Sequence, residues 1–295
     1  MTKTEDSLDD IRREIDSIDD RVHDLLMQRA ALLDRLKAVK GDSAHGSVRP
    51  AREASILRRI AGRHAGPLPR NAVIRVWREI MSALTWMQDP SFSAAVYADE
   101  ADPGYWDLAR DMFGSTIPMT VHGSARDVLA QVSDGSATFG ILPTPTEQRP
   151  EPWWVLLCVA DSPRIVFRLP LAEAGNVRHG ARGMPDALAV ARIAPEPTGA
   201  DHSALVIETN EMLSRTALGE LFNRAGLKPL QLVSDPEGTT MHLAIVDGFV
   251  PPDDPRLIQM GERDAVARAL SIGSYPQRLP PAAPRGRGRS RPVAP

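Results

Sequence analysis

From Leu8 the apolar residues fall at Leu8, Ile11, Ile15, Ile18, Val22 and Leu25, then at Leu32, Leu36 and Val39, in steps of three and four. That spacing draws one stripe along an α-helix packed lengthwise on another helix. A helix from about Ser7 to Lys40 is roughly 50 Å long at 1.5 Å per residue, more than a small domain is wide. It needs a partner along its length. The stripe position between Leu25 and Leu32 is filled by Arg29. Gly41 to Pro50 breaks the pattern, and a short second helix from Ala51 to about Arg63 resumes it with Ile56, Leu57 and Ile60. After Gly66-Pro67-Leu68-Pro69, a third helix carries Val73, Ile74, Trp77, Ile80, Met81 and Leu84 on one face. Gln88 continues that stripe one turn later. A long, a short and an intermediate helix do not close a core as a monomer. An intertwined dimer closes it, and a helical hairpin docked on the C-terminal half is the alternative.

Past Asp89-Pro90 the texture changes to alternating β and α signals. A strand is expected at Ala94 to Tyr97, helices at Tyr105 to Phe113 and Ala125 to Val132, and a strand at Ala137 to Pro143. From Ser203 the order is strand (Ala204 to Glu208), helix (Leu213 to Ala225), strand (Leu230 to Ser234), strand (Met241 to Val246), a short helical stretch and a last strand (Ala269 to Tyr275). Prolines cluster at Pro143 to Pro152, Pro195 to Pro197, Pro251 to Pro255 and in the tail, and so suggest where units meet. The tail from Pro276 is rich in Pro and holds the run Arg285 to Arg291, a composition that favours disorder. The fold class is therefore multi-domain. An all-α intertwined dimer domain (1–90) precedes an α/β lobe (91–200), a smaller α/β unit (201–276) and a disordered tail (277–295).

Composition narrows the function. With 295 residues, 42% hydrophobic and 25% charged, the chain can bury a core of more than one domain. A net charge of −3 supplies no global field to attract nucleic acid, so a basic site has to be local. The single cysteine, Cys158, lies in the apolar run Trp153 to Ala160 and reads as a reduced core residue, with no disulfide framework or Cys-based zinc site. The acidic N-terminus does not resemble a secretory signal and no apolar run approaches the ~18 residues of a membrane helix, so a cytoplasmic protein is expected.

Polar residues on the apolar stripes carry the candidate chemistry. A buried Arg29 needs a carboxylate or an anionic ligand to face it. Lys40 lies eleven residues later, three turns along nearly the same face. Arg12 sits beside the stripe near the start of the helix, where an antiparallel dimer would carry it to the partner subunit's cavity. Arg52 and Glu53 open the second helix, where free N–H groups welcome an anion. Gln88 adds a neutral donor. Singly each has a plain structural explanation: an ion pair, a snorkelling lysine, a frayed helix end. Together they suit a small dianion and offer neither a nucleophile–base pair nor a metal cluster.

Leu8-Asp9-Asp10-Ile11-Arg12, Leu25-Leu26-Met27-Gln28-Arg29, Lys37-Ala38-Val39-Lys40, Val48-Arg49-Pro50-Ala51-Arg52-Glu53 and Trp77-Arg78-Glu79-Ile80-Met81-Ser82 resemble the all-α chorismate mutase family over about residues 7–89. The motifs stand in order, at the family's spacing, with the heptad helix between them. The resemblance implies rearrangement of chorismate to prephenate, in phenylalanine and tyrosine biosynthesis, in a site shared by the two subunits of a homodimer. It implies that Arg29, Arg52 and the partner subunit's Arg12 hold the two carboxylates, that Lys40 and Gln88 donate to the ether oxygen and that Glu53 binds the hydroxyl. Leu84 departs from members that carry serine there. No cofactor is implied.

Residues 91–200 resemble the lobe of prephenate dehydratases, with Gly140-Ile141-Leu142-Pro143 as its strand, but lack the Thr-Arg-Phe tripeptide of that family. Asp201 to Ile207 stands in its place, and Thr144-Pro145 replaces the polar loop expected after Pro143. Residues 201–276 resemble an ACT regulatory domain. Thr216-Ala217-Leu218 stands near that family's amino-acid-binding loop, and Ser234-Asp235-Pro236 near its second loop. The expected function is a chorismate mutase with a non-catalytic C-terminal half, whose last unit either is a remnant that only stabilises the dimer or is regulatory, with an aromatic amino acid such as phenylalanine as effector. A bifunctional mutase and dehydratase, an amino-acid-sensing scaffold and an isochorismate-pyruvate lyase are the alternatives. Neither nucleic acid nor membrane is an expected partner.

Overall fold

The computed structural model describes residues 7–40, 48–147, 151–235 and 240–281, except for the side chains of Lys37 and Lys40. Helix α1 (Leu8–Lys40) runs 33 residues without a break. It starts where Ser7 Oγ accepts the Asp10 N–H at 3.2 Å and Asp10 accepts the Ser7 N–H in return, a reciprocal cap. Helix α2 (Pro50–Arg63) begins on a proline at its first position, and α3 (Arg70–Gln88) stops directly before Asp89-Pro90. Among the described side chains of α1, only Leu26, Arg29, Ala30 and Leu33 are withdrawn from solvent, while the stripe from Ile11 to Leu25 and on to Leu36 stays exposed. Helices α2 and α3 behave differently. Leu57, Ile60, Ile74 and Met81 merge into one core with the α/β part, and α3 packs on α4 (Gly104–Phe113). The docked-hairpin arrangement thus describes α2 and α3, whereas α1 lies outside it.

The rest of the chain forms one nine-stranded mixed sheet. Strands β1 (Ala94–Tyr97), β2 (Met119–His122) and β3 (Phe139–Pro143) are parallel, with β1 between the others. Helices α4 and α5 (Ala125–Ser133) are their crossovers. Strands β4 (Arg164–Leu169) and β5 (Ala187–Ala191) form an antiparallel pair on β3. Every residue of β1, β3 and β5 is buried, as strands covered on both faces must be. Strands β6 (Asp201–Thr209), β7 (Pro229–Ser234), β8 (Met241–Asp247) and β9 (Val266–Pro276), with α6 (Arg215–Arg224) and α7 (Pro255–Gly261), complete a βαββαβ unit ordered β9-β6-β8-β7. This unit holds a second core around Phe222, Ala244 and Met260. The two halves join where β4 meets β9 in parallel at a single register position, Ile165 opposite Gly273.

The sequence pattern anticipated the helices and β1, β3, β6, β7, β8 and β9, and left β2, β4 and β5 unassigned. Strand β2 has four residues at a sheet edge and no buried side chain, so it carries no hydrophobic signal. The apolar run at Trp153 forms a short 3-10 helix (Trp153–Cys158), and Cys158 is free and half-buried, its thiol pushed up to about 11 by burial. Thr216-Ala217-Leu218 lies in the first turn of α6, just after the connection from β6, with Leu218 buried. Residues 277–281, expected to begin the disordered tail, are tied down instead. Gln277 N–H donates to Ala200 O at 2.9 Å, Leu279 N–H donates to Leu171 O at 2.8 Å, and Leu279 is buried. Residues 41–47, Pro236 and the Arg-rich run from Arg285 lie outside the described residues. Among those described, no helix is long and apolar enough to cross a membrane.

His242 on β8 is almost fully buried, with Nδ1 2.9 Å from Ser234 Oγ and Nε2 3.3 Å from Thr209 Oγ1. Burial holds its pKa below the ordinary 6.5, and burial does the same to His202 against the opposing charge of Asp247. A lowered folded-state pKa means that stability is complete above about 6.5 and is lost as pH falls through the folded value, by at most about 1.4 kcal/mol per pH unit and group. Thermal melts should therefore hold steady from pH 8 to 7 and decline between pH 6.5 and 5, above the range where carboxylates titrate. His242→Gln should flatten that decline.

Candidate functional site

The three helices meet around a cavity of about 240 Å³. Arg29, Leu33 and Leu36, spaced one turn apart, face it from α1. The first turns of α2 contribute Arg52, Glu53 and Ile56, with Arg49 just before the helix, and the end of α3 contributes Met81, Leu84, Thr85 and Gln88. Arg29, Arg52, Glu53 and Gln88, four of the six residues singled out in the sequence, are therefore brought together within one chain. Leu84 lines the wall with methyl groups.

The charges are unbalanced. Burial lowers the Arg29 pKa from its ordinary value with no carboxylate acting against it, although the guanidinium stays charged. Among the described residues, neither Arg29 nor Arg52 has an ion-pair partner. Arg49 does, with Nη2 3.1 Å from Glu196 Oε1 on the connection between β5 and β6. Two uncompensated cations at the start of a helix and on a half-buried stripe make a cavity suited to an anion.

Glu53 is held from behind. Its Oε2 accepts Arg78 Nη1 at 2.6 Å, with side-chain exposures of 14% and 5%. Arg78 Nε donates to the Met112 carbonyl of α4 at 2.5 Å. Next to it, the Glu79 carboxylate accepts the Ser115 N–H at 3.0 Å and the Ser115 hydroxyl at 2.6 Å, pressed against Gly114, whose φ of +78° suits glycine. Consecutive residues of α3 thus clasp the end of α4, and one of them sets the position of Glu53. The Gln88 amide donates Nε2 to Leu84 O at 3.1 Å, so a ligand acceptor has to compete with that local bond.

Arg12 lies elsewhere. It pairs with Asp9 at 3.3 Å in solvent, roughly 25 Å along α1 from Arg29, and does not line its own subunit's cavity. Lys40 ends α1, and its side chain lies outside the described residues. The sequence reading missed Arg78 and Arg49. The signal for Arg78 was present, since four residues after Ile74 and three before Met81 is the buried face of α3. For Arg49 there was none, because its partner is distant in sequence.

A polar cavity of about 330 Å³ lies near the C-terminal ends of β1 and β3, where open α/β sheets bind ligands. Its cations are already matched. Arg168 makes two bonds to Asp186 at 2.9 and 3.1 Å, and Arg182 reaches Asp102 at 2.5 Å. Among the described residues there is no group of His, Cys, Asp and Glu able to hold a metal ion.

Residues 11–89 match the family model described as chorismate mutase type II. The chain is 30% identical over 144 residues to a bifunctional chorismate mutase/prephenate dehydratase of Pseudomonas aeruginosa, covering 47% of this chain and 39% of that protein. It is 32% identical over 143 residues to the protein of the same description from Stutzerimonas stutzeri, with the same coverage. The chain thus matches about two fifths of the length of these relatives. Among solved structures, a prephenate dehydratase from Arthrobacter aurescens in complex with L-Phe is 13% identical over 63% of this chain and 90% of that one, with a TM-score of 0.45. One from Streptococcus mutans is 12% identical over 62% and 97%, with a TM-score of 0.43.

Removing Arg78 alone strands the Glu53 carboxylate beside a core, a change that costs about 3–5 kcal/mol when a buried pair is broken. Urea unfolding of Arg78→Met should show a loss of that order, and Arg78→Met with Glu53→Gln should recover part of it. Additive losses would mean that the pair is not coupled.

Proposed function

We propose that the helical unit rearranges chorismate to prephenate in a cavity that two copies of the chain complete between them. The observation that carries this reading is that Arg29 and Arg52, neither with a carboxylate partner among the described residues, line one cavity together with Glu53 and Gln88. Chorismate is a dianion with a hydroxyl and an ether oxygen. Arg29 and Arg52 bind its carboxylates, the partner subunit's Arg12 adds the third cation, and Glu53, aimed by Arg78, accepts the hydroxyl. Lys40 and Gln88 donate to the ether oxygen.

The rearrangement breaks the ether C–O bond as a new C–C bond forms, with no proton transfer and no covalent intermediate. Holding the folded conformer supplies orientation, and donors at the ether oxygen stabilise charge that grows in the transition state more than in the ground state. The second copy answers two features of the chain. The exposed apolar stripe of α1, with Leu25 at 62% exposure, needs a long partner of the same kind. Arg12, far from its own cavity, lies where an antiparallel neighbour would use it.

Dehydratase activity is not part of this proposal. Asp201 to Ile207, in place of the catalytic tripeptide, runs inside β6 between β8 and β9, and the polar cavity near β1 and β3 has its cations paired. The division into a mutase unit (1–90), a lobe (91–200) and a regulatory βαββαβ unit (201–276) belongs to the proposal, as does an aromatic amino acid acting on that last unit.

Chorismate loss with prephenate as the sole product is the expected result for the full chain. Repeating the assay with phenylalanine, tyrosine and tryptophan identifies the effector by inhibition. Lys40→Ala should lower kcat by about 100-fold or more, as for loss of one oxyanion-type donor. Near-normal turnover in that variant removes the assignment. Sedimentation should show a dimer, and Ile18→Glu with Val22→Glu should give an inactive monomer. A wild-type monomer with full activity would defeat the shared-site reading.

A further inference from the structure

A cavity of about 350 Å³ opens at the seam between the two halves of the sheet, away from the helical unit. It originates in the strand register. Strands β4 and β9 pair only at Ile165 and Gly273, and a Cβ at Gly273, whose φ is +152°, would stand 2.3 Å from the Ile165 carbonyl oxygen. Glycine alone permits that approach. Residues on either side of the pinch, Arg164 on β4 and Ser271 and Ser274 on β9, line the cavity.

The lining is largely apolar. Phe249, Val250 and Pro251 from the connection between β8 and α7 form one wall, and Ile193 and Pro195 beyond β5 form another. The floor hydroxyls are satisfied by the protein, since Ser271 Oγ donates to Val250 O at 2.8 Å and Ser274 Oγ lies 2.7 Å from Ser203 Oγ. The cations are not. Arg164 pairs in register with Ala191, the residue before Arg192, and both arginines line the cavity. Arg164 Nη1 donates to Leu157 O at 3.1 Å and Arg192 Nη1 to Ser133 O at 2.7 Å. Among the described residues, neither guanidinium has a carboxylate within ion-pair distance. Asp161, exposed and at φ +59°, is the carboxylate of the lining. Two guanidiniums against one carboxylate leave one net positive charge.

We infer that this seam cavity binds a small organic monoanion, its carboxylate held by Arg164 and Arg192 and its apolar body lying against Phe249, Val250 and Pro251. The volume falls in the range of small-molecule sites, and guanidiniums are suited to forked recognition of a carboxylate. Because the walls come from both halves of the sheet, an occupant ties them together and stabilises the fold by mass action. The site is independent of the mutase reading.

The test uses the full chain with 3-phenylpropionate as probe and its neutral amide, 3-phenylpropionamide, as control, followed by saturation-transfer NMR and thermal melting. Saturable millimolar binding of the acid with a raised Tm is expected, with the amide weaker by about tenfold or more, the scale of one lost charge-assisted pair. Arg164→Gln and Arg192→Gln should each weaken the acid by a similar factor. Arg192 is exposed, so its variant should keep the unliganded melting temperature and isolates binding from folding. Equal binding of acid and amide, binding unchanged in both variants, or no saturable binding at millimolar concentration would each overturn the inference.

Discussion

A guanidinium that is nearly sealed from water has to find its hydrogen-bond partners inside the protein, and Arg78 finds one in the helical pair and one in the α/β part. Glu53 on α2 takes one side and the Met112 carbonyl at the end of α4 takes the other. The helical pair and the α/β part therefore share one buried electrostatic contact as well as one apolar core. The contact also links the cavity of the helices to the sheet behind it, because the same carboxylate that neutralises Arg78 lines that cavity. On this arrangement the C-terminal half has a role even without chemistry of its own. It supplies the surface on which Glu53 is aimed.

Pairing separates the cavities of this protein more clearly than size does. The cavity near β1 and β3 and the seam cavity have nearly equal volumes and both contain arginines, yet Arg168 and Arg182 already hold carboxylates while Arg164 and Arg192 hold none among the described residues. In the helical cavity, Arg29 and Arg52 are likewise unmatched among the described residues, while Arg49 is spent on Glu196. A cation matched by the protein stabilises the fold, whereas an unmatched one at a cavity is an unfilled half of an interaction.

Much of the fold could be read from the chain because it depends on periodicity. The steps of three and four that define α1, the stripe of α3 and the strand and helix order after Ser203 are local signals, and the elements appear where those signals stand. Strand β2 and residues 277–281 could not be read, since both are held by pairing with distant backbone and carry too few apolar residues to draw a stripe. The site divides the same way. Arg29 was visible as a charge on the apolar stripe of α1 and Gln88 as the continuation of the separate stripe of α3, while Arg49 was invisible because Glu196 is nearly half the chain away.

The sequence by itself determined the three helices, the apolar stripe that needs a partner and the group of polar residues placed along it, because side-chain spacing alone decides which residues share a helix face. Only the tertiary structure decided which of the cations are matched. Ion pairs such as Arg78 with Glu53, Arg168 with Asp186 and Arg49 with Glu196 form between segments brought together by packing, and no local spacing records them. It also decided that β4 and β9 meet at a single glycine, which opens the seam beside them.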